Sequence, residues 1–253
     1  MARPLTARIG ARPWRSRLVR IAAGGAGLLL LLAGSARATG PIAALPPDLP
    51  AAERARLREV TEHVSVSARS SGEAFRLRRD LFEYLLDHPE LATHIIQALK
   101  VNRYRVWRES DGLWLDDRAG ALVQFQIVYA APGSRVFFMQ GRYQPAVLPA
   151  IYGRVVAVLE YTVEPADEGK SLITSAMATF VRIDNAVFGM LARLFTAIIA
   201  PRATRVTNRI VVDIAKTARA IDSDPDAVDA ALRERPDVPA GDLAEFRRLL
   251  TRR

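Results

Sequence analysis

Between residues 104 and 183 the chain keeps a two-residue hydrophobic period with few breaks, and this limits its possible folds more than any other feature. Segments 104–109, 113–116, 122–129, 135–143, 152–163 and 172–183 read as strands. The connections are turns: Asp111-Gly112, Asp117-Arg118-Ala119-Gly120, Ala131-Pro132-Gly133 and Glu164-Pro165-Ala166-Asp167-Glu168-Gly169. None is long enough for a helical crossover, so neighbouring strands must run antiparallel. The longest connection, Gln144 to Ala150, carries Pro145 and Pro149. The last two strands, about twelve residues each, exceed the usual five or six and predict a strongly curved sheet.

A long helical segment follows. Asp184-Asn185 offers N-caps, and Val187, Leu191, Leu194, Ile198, Val206, Ile210, Ile214, Thr217 and Ile221 form one stripe. Pro201 is expected to kink or divide it, because proline removes a backbone bond and crowds the preceding turn. Ahead of the strands, 64–68 alternates as one more strand, the seventh. Phe75, Leu81, Phe82, Leu85 and Leu86 recur at helical spacing after a turn at Ser70-Ser71-Gly72-Glu73. A second helix begins at Pro89 and shows Leu91, Ile95, Ile96 and Leu99. Residues 51–58 form a short helical pattern. The last stretch holds two more, separated by Pro236, Pro239 and Gly241, with an apolar side at Leu243, Phe246, Leu249 and Leu250 that docks on the domain or binds a partner.

Charge separates the chain into parts. The 253 residues carry 36 basic and 27 acidic side chains, a net +9. Residues 1–38 contain seven arginines and no acid, which leaves 29 basic and 27 acidic residues, a net +2, over 39–253. The basic start, the apolar stretch from Ile21 to Ala33 and the small residues of Ala36-Arg37-Ala38 have the three-part layout of a secretory signal, with cleavage expected after Ala38. The alternative is an uncleaved anchor. However, only sixteen residues, four of them glycine, separate Arg20 from Arg37, and a spanning helix needs about 20 apolar residues. Ser16 splits Arg15 from Arg17, against a twin-arginine route. The expected organisation is a signal over 1–38, a linker over 39–60, a domain over 61–222 and a helical tail over 223–253. Export, to a periplasm, is the expected destination. With no cysteine in the chain, disulfides, thiolate metal sites and a lipoprotein anchor are excluded. Near-neutrality and the absence of an aromatic-interleaved basic patch argue against nucleic acid.

The order of elements is a strand, a helical pair, six antiparallel strands and a long C-terminal helix, an α+β arrangement. Together with the segment Leu81-Phe82-Glu83-Tyr84-Leu85-Leu86-Asp87-His88-Pro89, it resembles the START-like or helix-grip superfamily of lipid-transfer domains, polyketide cyclases and plant Bet v 1-type proteins. The likeness covers about residues 61–221. It implies a curved sheet of about seven strands gripping the C-terminal helix, with an apolar ligand held between them. Physical reasoning supports part of this independently: the helix stripe must be buried on one sheet face, and the other face can stay wet.

Sites for chemistry are few. His88 and His94 are six apart, not the four that places two helical histidines on one side, and His63 has no neighbouring partner. No nucleophile elbow or phosphate loop is present outside the N-terminal segment. No cofactor or metal is expected. Polar residues within apolar strands are the candidates for ligand contact. Gln140, Arg142 and Arg154 flank the Pro-containing loop, with Tyr152 nearby. Phe138 shares the face of Gln140, and Tyr161 lies further along the same strand as Arg154. Inward placement would suit an anionic headgroup or carboxylate; otherwise these residues form the wet face. Arg202, Arg205 and Arg209 recur on one helix face, either solvated or facing anionic lipid at a membrane surface. The leading expectation is an exported, non-enzymatic carrier of a hydrophobic molecule such as a lipid. The alternatives are a polyketide cyclase-like enzyme using Gln140, Arg142, Arg154 and Tyr161, and a partner-binding module with a filled core.

Overall fold

The computed structural model describes residues 45–146, 149–184 and 189–251, with side chains throughout except over 189–196. In chain order its elements are α1 (Ala51–Thr61), β1 (Val66–Ser71), β2 (Phe75–Leu77), α2 (Arg79–Asp87), α3 (Pro89–Ala98), β3 (Arg105–Glu109), β4 (Gly112–Asp116), β5 (Ala121–Ala131), β6 (Ser134–Tyr143), β7 (Ile151–Pro165), β8 (Ser171–Ile183), α4 (Gly189–Ser223), α5 (Pro225–Arg233) and α6 (Ala240–Thr251). The strands form one open antiparallel sheet in the order β1-β8-β7-β6-β5-β4-β3, with β2 also on β8. The signal segment, the start of the linker, the Asn185 cap and the stripe residues Val187, Leu191 and Leu194 lie outside these described residues or side chains.

Among the described residues the main path of the sheet has the expected seven strands, and a short eighth, β2, also pairs with β8. Phe75 belongs to an extra short strand and not to a helix: Phe75 and Leu77 alternate with Arg76 and pair with Ile173 and Ser171, so the helix begins only at Arg79. The expected turn at Ser70 and Ser71 is also strand, opposite Met177 and Ala176. The edge formed by β1 and β2 is interrupted at Gly72. A Cβ there would lie 2.6 Å from Val211 Cγ1, so glycine lets α4 approach the backbone closely.

Side-chain period two sorts the sheet into two faces. The inner face holds Val66 and Ala68 of β1, Met177 and Thr179 of β8, Leu159 of β7, Phe137 and Met139 of β6, Phe125 of β5 and Leu113 of β4. Helix α4 packs there, chiefly against β1, β2 and β8. Val211 is fully buried against Leu159 and Met177, and Ile199 and Ala203 pack on Val66, Ala68, Ile151 and Ile183. Of the two effects expected of Pro201, division of the helix does not occur: α4 runs as one helix from Gly189 to Ser223 with Pro201 inside it. The freed carbonyl belongs to Ala197, and both Ala197 and Pro201 are exposed, so water can satisfy it while Ile199 and Ala203 hold the helix on both sides.

The outer face is covered as well. Leu57 and Val60 of α1 are fully buried with Leu49 on Val136, Phe138, Val156, Val158 and Ala178. The helix expected over 51–58 is therefore part of the packed domain, and the linker reading does not extend to it. The end of the chain docks too: Val228, Leu232, Val238, Phe246 and Leu249 join Leu81, Phe82, Leu85, Leu91 and Ile95 in the largest apolar cluster. The apolar side of the tail is thus occupied within this chain.

Leu57→Ala leaves a cavity between α1 and the sheet and is expected to cost about 3 kcal/mol. Urea unfolding would show it as a lower midpoint at unchanged slope; a loss below about 1 kcal/mol would mean that α1 is not integral to the fold.

Candidate functional site

Because α4 lies along the β1–β8 side of the inner face, part of that face lacks full cover. Leu115, Val123, Ile127, Phe137 and Met139, all inward on β4, β5 and β6, are only half-buried. On the helix, Val206, Ile210 and Ile214 are half-buried at four-residue steps, and Ile210, Ile214 and Phe137 pack on the same Leu159–Met177–Val211 cluster. These strand and helix positions make an apolar strip that the described residues cover incompletely.

Polar bridges close both ends. At one end Arg202 forms an ion pair with Asp117 in the β4–β5 turn, and its guanidinium lies 4.0 Å from the centre of the Tyr143 ring. At the other end Asn102 Nδ2, in the α3–β3 connection, donates to Asp213 Oδ2 at 2.6 Å. Arg202 and Asp213 are eleven residues apart on α4, so the bracketed stretch is about 16 Å long. Asp213 is 3 % exposed. Burial raises its carboxyl pKa above the ordinary value, against the opposing pull of Asn102, Arg209 and Lys216. Tyr104 is near it; burial first, and the Asp213 charge second, push its phenol far above the usual range, so it remains a hydrogen-bond donor at neutral pH.

The residues expected to contact ligand are divided between two faces. Phe138, Gln140, Arg142, Tyr152 and Arg154 all lie on the outer face, opposite α4, as the β6–β7 register requires. Phe138 is buried under α1, with the Arg56 guanidinium 4.4 Å from its ring centre. Arg142 is exposed. Arg154 donates to Glu59 at 2.8 Å and to Asp184 at 2.8 Å, and Arg182 donates to Glu59 at 2.9 Å. The Arg154 hydrogen bond is the main cause that holds the Glu59 carboxyl below its ordinary pKa. Gln140, Tyr152 and Arg154, with Trp114, Gln124 and Asp184, line an open cleft of about 500 Å³ on this outer face. Tyr161 alone is inward, and it is core. Its ring packs edge-on to Phe82, and its hydroxyl donates to Glu83 at 3.0 Å and accepts from Arg135 at 3.2 Å. Arg135, itself buried, is held by Asp87 at 2.7 Å. The polar set therefore does not line the space between sheet and helix.

Of the basic helix residues, Arg202 is committed to Asp117 and Tyr143, while Arg205 and Arg209 are exposed. The sequence reading missed Asp117, Asn102, Tyr104 and Asp213. Asp213 did carry a signal: it is a lone carboxylate beside Ile210 and Ile214 on the apolar stripe.

A scan against protein-family models and a search of curated proteins find no match. Among solved structures, the chain is similar to a conserved protein from Geobacillus kaustophilus at 9 % identity and TM-score 0.36, covering 63 % of this chain and 97 % of that one. It is similar to a truncated norcoclaurine synthase from Thalictrum flavum at 14 % identity and TM-score 0.36, covering 62 % and 95 %. It is also similar to Ara h 8.0201 at 10 % identity and TM-score 0.31, covering 61 % and 96 %.

The raised carboxyl pKa of Asp213 sets the sign of a pH effect. The folded state holds this proton more tightly than the unfolded state, so the stabilising contribution is present at low pH and is lost as pH rises from about 4 through the raised value. Asp213→Asn removes that loss and keeps an acceptor for Asn102. The variant should melt higher than the parent at pH 8, with the difference shrinking toward pH 4 (differential scanning calorimetry). A variant less stable than the parent at pH 8 contradicts the assignment.

Proposed function

We propose that this chain is an exported START-like binding protein that carries a hydrophobic molecule, such as a lipid, in the groove between sheet and α4, without catalysis. The observation that supports it is the set of half-buried apolar residues on the inner side of the sheet and on α4: Leu115, Val123, Ile127, Phe137 and Met139 from the strands, and Val206, Ile210 and Ile214 from the helix. Completing the burial of a Leu, Ile, Met or Phe side chain is worth up to about 2 kcal/mol relative to full exposure, so an apolar guest gains from several walls at once. The dimensions limit that guest: a stretch of about 16 Å between the Arg202 and Asp213 bridges suits an elongated aliphatic chain or a few fused rings. The exposed Arg205 and Arg209, on the outward side of the same helix, suit docking at an anionic lipid surface during transfer.

Of the four residues the enzymatic reading names, Gln140, Arg142 and Arg154 are on the face opposite α4, and Tyr161 is inward but packed in the core against Phe82. A carrier requires only the apolar walls.

Met139→Trp fills the groove from its floor without opening a core cavity. The purified full chain should enhance the fluorescence of an apolar naphthalene dye and release an apolar molecule on solvent extraction, read by mass spectrometry. The variant should bind the dye at least about tenfold more weakly, at a melting temperature within a few degrees of the parent. Equal dye binding by parent and variant would rule the groove out as the site.

A further inference from the structure

The outer face carries a second constellation, independent of the groove. One row of cross-strand neighbours runs Trp107–Trp114–Gln124–Gln140–Arg154–Arg182, a single residue from each of β3, β4, β5, β6, β7 and β8. Aligned in this way, two indoles are followed by two amides and two guanidiniums. The centre of the row opens into the cleft of about 500 Å³, a size typical of ligand sites, with Tyr152 on its far rim.

Each group is fixed by a neighbour. The Trp114 indole N–H donates to Asp111 at 2.9 Å and that of Trp107 to Glu109 at 2.6 Å, so both indoles spend their donors within the protein; the Arg105 guanidinium lies over the Trp107 ring at 5.3 Å, and Trp114 is the indole that lines the cleft. Gln124 Nε2 donates to the Asp111 carbonyl, and Gln140 Nε2 donates to Gln124 Oε1 at 3.1 Å. This relay leaves Gln140 Oε1 without a protein donor among the described residues. Gln140 is exposed, and Tyr152 is 50 % exposed. Arg154 and Arg182 are balanced by Glu59 and Asp184, so the cationic end of the row has no net charge.

We infer that this cleft binds a neutral oligosaccharide. A neutral site selects against phosphates and polyanions, because the guanidiniums are already paired. Aromatic rings on the rims suit the C–H faces of pyranose rings, and the amide acceptor and ion-paired guanidinium between them suit hydroxyl groups, which both donate and accept. Trp114 on β4 and Tyr152 on β7 are three strands apart, about 14 Å, so a ligand touching both must be elongated and run across the strands. An extended peptide would instead seek an unpaired sheet edge for its backbone bonds, and β4 to β7 are all interior strands.

The test is calorimetric titration of the full chain with cellohexaose, chitohexaose and maltohexaose. At least one is expected to bind with a Kd below about 1 mM. Trp114→Ala and Tyr152→Ala should each weaken binding about tenfold or more. Tyr152 is an exposed side chain whose loss leaves the core intact, so the test survives if the Trp114 variant misfolds. Met139→Trp should leave saccharide binding unchanged, which separates this site from the groove. Affinity should be the same at about 50 and about 500 mM NaCl. Overturning results are no binding of any of the three, binding that persists in both aromatic variants, or binding that falls steeply with salt, which would indicate an anionic ligand.

Discussion

The β7–β8 hairpin organises the molecule because both of its faces are covered. Its thirteen residue pairs run from Gly153–Ile183 to Pro165–Ser171. On the inner side Leu159 and Met177 take Val211 of α4, and on the outer side Val156, Val158 and Ala178 take Leu57 and Val60 of α1. An antiparallel sheet commonly leaves one face to water. Here the centre is sandwiched. Among the described residues, half-buried apolar positions of the inner face lie on β4 to β6, and the outer cleft spans β4 to β7.

The architecture was legible in the sequence to a large extent. Short turns between period-two segments dictated antiparallel pairing from Arg105 to Ile183, and the helical spacing after it gave α4. The missing strand, β2, has three residues, and Phe75 and Leu77 fit both a strand and the lead-in to a helix when read alone. Pro201 does not divide α4, because with solvent on the proline side and packed residues on either side the loss of one bond does not interrupt the helix.

The facing of the strands was not legible, for a specific reason. In β6, Val136 and Phe138 alternate with Phe137 and Met139, and in β7, Val156 and Val158 alternate with Ala157 and Leu159. Both sets are apolar, because α1 buries one and α4 the other. Period two then shows that residues share a face without showing which face meets α4. Gln140, Arg142 and Arg154 do share one face, and of the two placements left open it is the one away from α4. The bridges made by Arg202 and Asp213 join elements 85 and 111 residues apart in sequence, and no local pattern encodes such a meeting.

The docking of α5 and α6 has a consequence for how the chain reaches its native state. Phe75, Leu81 and Leu91 are buried together with Leu232, Phe246 and Leu249. Contacts of such long sequence separation form slowly, because loop closure precedes any gain from burial. Until Leu249 is available, the apolar sides of α2 and α3 have no final partner, and an incomplete chain exposes them. Folding is therefore tied to the last helix, and shortened chains are the forms most prone to aggregate.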